Sequence, residues 1–600
     1  MNPTIIETVV ETIVGIDLGT TNSEIAVVRD GRVEVIPVAG GQRILPSVVG
    51  IADDGALLVG EAARNQYAVH PERTVRSIKR RMGEGARVPM ADKDYAPQEI
   101  SAMILRRLKT LAQDYLGLEV RKAVITVPAF FSDAQRQATR EAGQIAGLEV
   151  VRILNEPTAA ALAYESRHQG ARKALVYDLG GGTFDVSVVN LEGDVVEVLA
   201  SHGNNHLGGD DFDQKLVEFA LAHLKQAHGV DVRGSAAAMA RLQRAAEATK
   251  IALSDQPFAT MTEEFLFEHQ GVPLHLALEV SREQYEAMIE PYIDETVAAV
   301  HVALSGASLR VADIDEILLV GGATRTPLVA RRLEADLGKQ PRAEVDPDLC
   351  VAMGAAIQAA LIAGTQTHTV LVDITPYTFG TSALGELDGD PYAHCFVPLI
   401  RKNTPIPVSK SDVFFTVFDG QDTVEVMVYQ GEDPDALNNI EIGRFTVEGL
   451  SDVPAGNAIV LGLSLDLNGI LEVTAREKRS GLQRSITIGN AMARFEQDKL
   501  AEARTRVQAL FGPSADDSSA LPSGPATVAD DQHAIDHRRL GVEAQALLEK
   551  AERLLDKVGA HDAEDLVDAI EGVKDTLASD EAALKESMAT LADLLYYLDV

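Results

Sequence analysis

The sequence predicts a multidomain protein, with a two-lobed α/β part first, a β-sandwich second and helices last. Three observations carry this: an internal repeat, a run of alternating apolar strands after residue 377, and helical patterning beyond residue 494. The repeat comes first. Residues 174–189 read ALVYDLGGGTFDVSVV, two β runs joined by a glycine turn. Residues 14–28, VGIDLGTTNSEIAVV, match them in register, Asp17, Leu18, Gly19 and Glu24 standing where the later stretch has Asp178, Leu179, Gly180 and Asp185. A repeated strand–Asp–Leu–Gly–turn–strand unit predicts two similar lobes that face each other.

The turn suggests the chemistry. Gly180, Gly181 and Gly182 bare backbone N–H groups that suit a phosphate. An acid on each side of that turn would repel phosphate unless a divalent cation lay between them. A pair of lobes with two such turns is expected to enclose a nucleotide.

Composition sets bounds. Six hundred residues, 46% of them hydrophobic, suffice for three or four domains. The formal charge of −36 argues against nucleic acid or anionic membrane as a general partner. Two cysteines, Cys350 and Cys395, without metal-ligand spacing make a disulfide framework or zinc site unexpected. Glu7 and Glu11 interrupt any signal-peptide pattern, and no apolar run reaches membrane-spanning length, so a cytoplasmic location is expected.

Along the first lobe, a second β pair is expected near Val33–Val38 and Ser47–Ile51. The basic patch Arg76–Arg81 reads as helix-like, with Arg80 and Arg81 in solvent and Lys79 turned inward as a point charge for phosphate. AVITVPAFF (123–131) reads as a buried strand ending at Pro128, with Ser132–Asp133 capping a helix over Ala134–Gly147. Val150–Leu154 is a short strand, and Asn155–Glu156–Pro157–Thr158 opens an alanine-rich helix from Ala159 to Tyr164. Glu156 sits at a strand end, where a catalytic group and a simple cap are equally expected.

In the second lobe, HLGGDDFD (206–213) reads as a glycine turn opening a helix. Glu247, Lys250 and Ser254 share one helical face, suited either to a surface ion pair or to a ribose and base. EILLVGGATRTP (316–327) is a strand, a Gly321–Gly322 turn and Arg325. Asp346–Pro347–Asp348 is expected to cap the helix Ala352–Leu361.

Taken together and in this order, DLGTTNS, VPAFF, NEPTAAALAY, DLGGGTFD, HLGGDDFD and VGGATRTP resemble the 70-kDa heat-shock, DnaK-type chaperone family over nearly the whole chain. No Walker GxxxxGK[ST] or Rossmann GxGxxG is present. The resemblance implies an actin-like α/β two-lobed ATPase domain (1–368), an interdomain linker (369–376), a β-sandwich peptide-binding domain (377–494) and an α-helical lid (495–600) with a flexible insertion at 512–527.

It also implies roles and ligands. ATP/ADP and Mg2+ are the expected cofactors, with K+ as an option. Asp17, Asp178 and Asp185 would organise the metal, largely through water. Gly19, Thr20, Thr21, Asn22, Gly180, Gly181, Gly182 and Thr183 would cradle the phosphates, with Gly208, Gly209 and Asp210 beside them. Lys79 and Glu156 would position the attacking water, with Asp178 and Thr183 in the same catalytic set. Glu247, Lys250, Ser254, Gly321, Gly322, Arg325 and Asp348 would hold adenosine. Pro128, Arg136, Arg152, Leu371 and Asp373 match positions that pass the nucleotide state to the linker.

The linker, Thr369–Asp373 before Ile374–Thr375–Pro376, carries fewer leucines than the family prefers, and an ordinary edge strand is the alternative if the segment stays docked permanently. Strand signals then alternate at Phe414–Phe418, Val424–Val428, Phe445–Val447, Leu461–Leu465 and Leu471–Val473. By position, Val424 and Val426 would line the peptide pocket with Phe414 nearby, and Leu384 and Val417 would arch over it. Residues 385–396 look longer than the usual turn, and Arg81–Ala96 shorter than the family norm. A helix is expected over Phe495–Phe511, then further helices at Leu540–Val558, Asp562–Leu577 and Glu581–Leu598. Unfolded apolar polypeptides and a J-domain co-chaperone are the expected partners, while dependence on an exchange factor stays open. The alternatives are an actin-fold kinase and a regulatory, exchange-factor-like relative.

Overall fold

The computed structural model describes residues 12–165, 170–193, 195–342, 345–364, 370–488 and 497–511, with single positions between 544 and 591. The chain divides into two compact units, Met1–Gly512 and Pro513–Val600.

Each lobe of the first unit is built on one sheet. In the first, the order is Glu149–Asn155, Lys122–Val127, Ile13–Leu18, Asn22–Arg29, Arg32–Val35. The three strands from Glu149–Asn155 to Ile13–Leu18 run parallel and are buried nearly throughout. That is why they read as unbroken apolar runs rather than alternating ones. In the second lobe the order is Glu316–Val320, Arg172–Leu179, Phe184–Glu192, Val195–Asn204, Val370–Ile374, Pro405–Ile406. The repeat seen in the sequence is a repeat in space. Asp17 stands opposite Glu24, and Asp178 opposite Asp185, each across an antiparallel hairpin.

Small residues let the lobes close on each other. The helices Glu156–Glu165 and Cys350–Ile362 pack so tightly that a Cβ on Gly354 would lie 1.7 Å from the Ala159 carbonyl oxygen. A Cβ on Gly15 would lie 2.1 Å from the Ala356 nitrogen. The alanine runs in both helices belong to one apolar cluster that also takes in Ile13, Val124, Val176 and Leu318 from the two sheets. An alanine-rich stretch that looked like mere helix former is therefore a joint between sheets.

Two local expectations are corrected. Arg32–Val35 and Val49–Ile51 do not pair with each other. Arg32–Val35 pairs with Asn22–Arg29, and Val49–Ile51 pairs with Leu57–Val59 and Thr74–Val75. Asn22–Arg29 already offered an edge next in sequence, so the intervening loop carries the later strand to a separate three-stranded sheet. Asp348 does not cap the helix Cys350–Ile362, because its carboxylate accepts from Arg325 Nη2 at 2.6 Å.

The remaining helices follow their signals. Ser132 Oγ accepts from the Gln135 nitrogen and Gln135 Oε1 from the Ser132 nitrogen, a reciprocal cap that starts Asp133–Ile145. The helix Ala236–Asp255 carries Glu247, Lys250 and Ser254.

Beyond the lobes, a four-stranded sheet with the order Asp390–Ile400, Phe379–Leu387, Thr423–Gln430, Ile440–Glu448 faces one with the order Val408–Phe415, Ala458–Leu465, Leu471–Glu477, Gln483–Ile488. Their shared core contains Phe379, Val428, Val447, Leu461, Leu463 and Val473. This is the expected sandwich. The stretch 385–396 extends both strands of a hairpin that turns at Asp388–Gly389, so its length goes into ladder rather than into loop.

The helix Gln497–Leu510 packs on the first lobe, where Ala503 and Val507 join the lobe's own core. Arg506 Nη2 lies 2.7 Å from Glu99 Oε1, and the Glu99 side chain is fully buried. In the second unit the described positions are helical, and Ala544, Leu548 and Ala551, spaced as one helical face, are buried. The expected insertion 512–527 and most of the three later helices lie outside the described residues. Among the described residues no helix is long and apolar enough to cross a membrane.

Candidate active site

The two hairpins aim their acids into one cleft. Asp17 ends one strand, Asp178 ends its counterpart, and both are buried or nearly so with Asp185 and Glu24 behind them. Thr126 Oγ1 donates to Asp17 Oδ1 at 2.9 Å, and the Phe130 nitrogen donates to Asp185 Oδ1 at 3.0 Å. Glu156, at the start of its helix, meets Lys79 Nζ in a direct ion pair, both side chains almost fully buried. Lys79 reaches it from the short 3-10 turn Ile78–Arg81.

Charge in this cleft is unbalanced. Five buried carboxyls, those of Asp17, Glu24, Glu156, Asp178 and Asp185, surround Lys79. Burial pushes the Glu156 carboxyl up to about 8, with Lys79 opposing the rise and Asp17 adding to it. Burial likewise raises Asp185 to about 7, against hydrogen bonds from the Phe130 and Ala129 nitrogens. Asp178 is held well above the carboxylate range by burial and by Glu156, Asp185 and Asp17. Asp17 and Glu24 are raised by burial as well. Burial alone would lower the Lys79 ammonium, but Glu156, Asp17 and Asp178 outweigh it and keep the group charged. Such a set is short of positive charge, which is the condition a divalent cation relieves. Among the described residues no three acid, imidazole or thiol groups converge as direct ligands. A hydrated ion fits this donor set better than a bare one.

The glycine turn meets the threonine turn across the cleft. A Cβ on Gly181 would lie 1.9 Å from Thr21 Oγ1, and one on Gly182 would lie 2.6 Å from Thr20 Cγ2. Only glycine allows that approach. Gly180 uses its own N–H to close the turn on the Thr183 carbonyl at 3.0 Å, which corrects the expectation of three free amides. The Gly180 and Gly181 carbonyls accept from Gly209 and Asp210 nitrogens at 2.9 and 2.7 Å, so the second glycine turn braces the first. Thr21 Oγ1 is buried without a hydrogen-bond partner, a polar atom aimed at the space between the turns. Gly19 is equally constrained, a Cβ there falling 2.0 Å from the Asn22 carbonyl oxygen.

Next to these turns a pocket is lined by Thr20, Thr21, Asn22, Tyr67, Arg76 and Glu247. Glu247 and Lys250 do not pair with each other. Lys250 Nζ lies 2.8 Å from Asp213 Oδ1 and donates to the Gly209 carbonyl at 3.1 Å, while Glu247 faces Arg76 at 4.0 Å. Ser254 Oγ turns back to the Lys250 carbonyl at 3.4 Å. Gly321, with φ of 83°, brings its backbone against Asp178, and Gly322 lies against Asp348. Arg325 is held by Asp346 and Asp348 at 2.8 and 2.6 Å.

Arg80 is not a solvent group. It pairs with Asp211 and donates to the Gly182 carbonyl at 3.0 Å, and Ser77 Oγ donates to Asp210 at 2.6 Å, so the basic turn clasps the second lobe. Arg81 does stay at the surface, beside Glu84 at 3.0 Å. The clasp was hidden because its acids lie more than a hundred residues away.

A second polar cluster ties the cleft to the strand Val370–Ile374. Arg136 Nη2 donates to Asn155 Oδ1 at 2.6 Å, and Asn155 Nδ2 donates to Asp373 Oδ2 at 2.8 Å. Thr158 Oγ1 lies 3.3 Å from the same carboxylate. Arg152 acts on Asp373 electrostatically, and Pro128 lies buried at the end of its strand. Leu371 pairs with Val196, so the segment expected as linker forms an added strand on the second lobe. From the sandwich, Asn468 Oδ1 accepts from the Ile153 nitrogen at 3.2 Å. The contacts of Thr126, Asn155, Asn205 and Asn468 are not signalled in the sequence, where isolated polar residues carry no period.

On the sandwich, Val426 is buried with Phe414 and Val424 packed beside it, whereas Leu384 and Val417 are 64% and 59% exposed.

Comparison with known proteins agrees with this architecture. The family model described as Hsp70 protein matches residues 13–89 and 84–596. The chain is 49% identical over 496 residues to the chaperone protein DnaK of Thermotoga neapolitana, covering 81% of this chain and 82% of the relative. It is 50% identical over 486 residues to that of Thermotoga maritima, covering 80% of each. With that of Thermosipho africanus it shares 48% identity over 495 residues, 81% of each chain.

Proposed function

The chain belongs to the Hsp70 family, and from that premise we propose that its cleft hydrolyses ATP to set the grip of its sandwich on unfolded polypeptide. It is a DnaK-type chaperone and an ATPase that binds nucleotide and unfolded substrates. The observation that carries the catalytic reading is the buried Lys79–Glu156 pair set among Asp17, Asp178 and Asp185 where the two hairpins converge.

Asp17, Asp178 and Asp185 would hold Mg2+ through its water shell. When bound, the ion would neutralise phosphate charge in a cleft otherwise crowded with carboxylates. Gly19, Thr20, Thr21 and Asn22 from the first turn and Gly180–Gly182 with Thr183 from the second receive the phosphates, Thr21 Oγ1 finding there the partner it lacks. Gly208, Gly209 and Asp210 hold the second turn in shape. Glu247, Lys250 and Ser254 on one helix, with Gly321, Gly322, Arg325 and Asp348 opposite, receive adenosine. Glu156 accepts from the attacking water and Lys79 fixes Glu156 and the departing charge, a role of positioning and electrostatics.

The linker cluster of Arg136, Arg152, Asn155, Leu371 and Asp373 then reports the state of the cleft to the sandwich. Val424, Val426 and Phe414 take an apolar side chain, and Leu384 and Val417, exposed as they are, close over an extended backbone. The functional divisions fall at 1–368, 369–376, 377–494 and 495–600. A J-domain co-chaperone is the expected partner. A sugar or acetate kinase of the same fold would leave the sandwich without a purpose.

The test is release of a bound fluorescent apolar peptide on adding ATP, with Glu156→Ala alongside. Fast release in both, with slow ATP turnover in the variant, is expected. Release indifferent to ATP would refute the coupling, and undiminished turnover in Glu156→Ala would refute the site.

A further inference from the structure

One carbonyl collects three parts of the molecule. The Phe130 oxygen, in the loop after the strand Lys122–Val127, accepts from Asn205 Nδ2 of the second lobe at 2.7 Å and from the Tyr377 hydroxyl. Tyr377 lies between the linker strand and the sandwich, its backbone set by Thr375, whose Oγ1 donates to the Tyr377 carbonyl at 3.0 Å. The rings of Phe130 and Tyr377 also pack, with centroids 4.9 Å apart. The same residue, Phe130, gives its N–H to Asp185 Oδ1 at 3.0 Å. Both acceptor sites of that carbonyl are thus filled, and the residue that carries it grips an acid of the cleft.

We propose that Tyr377 is a positioning residue for ATP hydrolysis: by holding Phe130 it sets Asp185, so that the cleft reads whether the sandwich is seated. The inference rests on the reading of Asp185 as a metal-organising acid. The linker cluster at Asp373 runs through Asn155 to Arg136, whose guanidinium also donates to the Ala129 and Phe131 carbonyls on either side of Phe130. Tyr377 makes a second contact with that loop, on the carbonyl of the residue that holds Asp185. Seating of the sandwich then costs or gains one neutral hydrogen bond at Phe130, and the position of the Asp185 carboxylate follows.

The experiment uses the full chain with Tyr377→Phe, which keeps the ring and removes the donor. Three readouts are taken: ATP affinity, turnover with and without a saturating apolar peptide, and amide exchange of the segment that contains Phe130. Expected are unchanged affinity, faster exchange at Phe130, and a ratio of stimulated to unstimulated turnover changed about two- to tenfold, the weight of one such bond. Asn205→Ala loosens the same carbonyl from the second lobe and should leave that ratio closer to wild type. Unchanged exchange and ratio in Tyr377→Phe would overturn the proposal, as would equal effects of the two variants, which would mean a loop loosened without regard to the sandwich. Asp185→Asn separates the levels. If it turns over normally, the reading of Asp185 fails. If it is impaired while Tyr377→Phe is silent, only the role of Tyr377 fails.

Discussion

Replacing Lys79 by methionine tests the cleft most directly. Methionine keeps an unbranched chain of similar length, so packing against Phe131, whose ring lies 5.8 Å from Nζ, changes little. The charge does not survive. In the resting site Lys79 is held against Glu156 with Asp17 and Asp178 close by, so its net pull on a bound nucleotide is small. As the γ-phosphoryl leaves, charge builds on oxygens that a lysine at roughly 4 Å stabilises by about 4 kcal/mol at an effective dielectric constant near 20. Spreading of that charge over several oxygens reduces this, and ~3 kcal/mol corresponds to about two decades in rate. A second effect adds to the first. Without Lys79 the Glu156 carboxyl, pushed up to about 8 even with Lys79 opposing the rise, goes higher still, so less of it is available as carboxylate to accept from water. Single-turnover hydrolysis should therefore fall by about 10²–10³-fold, while ATP affinity from an equilibrium titration changes far less. Equal losses in rate and affinity would mean that Lys79 merely binds substrate, and an undiminished rate would remove it from catalysis altogether.

Other consequences follow from the same arrangement of charges. Glu156 has a folded value of about 8 against an ordinary 4.5, so the folded state binds the extra proton and stability from this group is full below pH 4.5 and lost as pH rises to about 8. Thermal melts of the nucleotide-free protein should thus fall more steeply with pH over that window than those of Glu156→Gln, and parallel curves would contradict the assignment. Glu477 has the opposite sign. Burial alone would raise it, but Ser480, Asn457 and the Ser451 nitrogen hold the fully buried carboxylate down to about 2, so its stabilisation is present above pH 4.5 and lost as pH falls towards 2. Glu477→Gln should destabilise the sandwich by ~1–3 kcal/mol at neutral pH, measured by denaturant unfolding, and a silent substitution would show that those donors find other partners.

The parts that were legible in the sequence are those whose cause is local. Both cleft hairpins, the reciprocal cap at Ser132 and the strands of the sandwich announce themselves by turn chemistry and alternation within a dozen residues. Lys79 was readable as an inward charge because Ile78 precedes it in an otherwise basic run. What escaped was choice of partner. Asn22–Arg29 takes Arg32–Val35, which left Val49–Ile51 to a different sheet, and nothing near Arg80 announces Asp211. Tyr377 follows a proline in a stretch without period, so only the folded chain shows that its hydroxyl ends on the Phe130 carbonyl. The helix Gln497–Leu510 reads as a helix from its composition, but its burial against the first lobe depends on partners such as Glu99, four hundred residues away, that nothing near it announces.

The linker strand Val370–Ile374 serves two masters. Val370, Leu371 and Val372 are in register with Val195, Val196 and Glu197 on one side, and Asp373 and Ile374 with Ile406 and Pro405 on the other. Leu371 and Asp373 are buried, and Val372 between them less so. A strand bound at both ends by backbone ladders can exchange one apolar side chain for another at modest cost, which is how a valine-rich version remains seated. It cannot change its length, because adding or removing one residue turns Leu371 and Asp373 to the opposite face and breaks step with one ladder or the other. Spelling in this segment is negotiable, whereas counting is not.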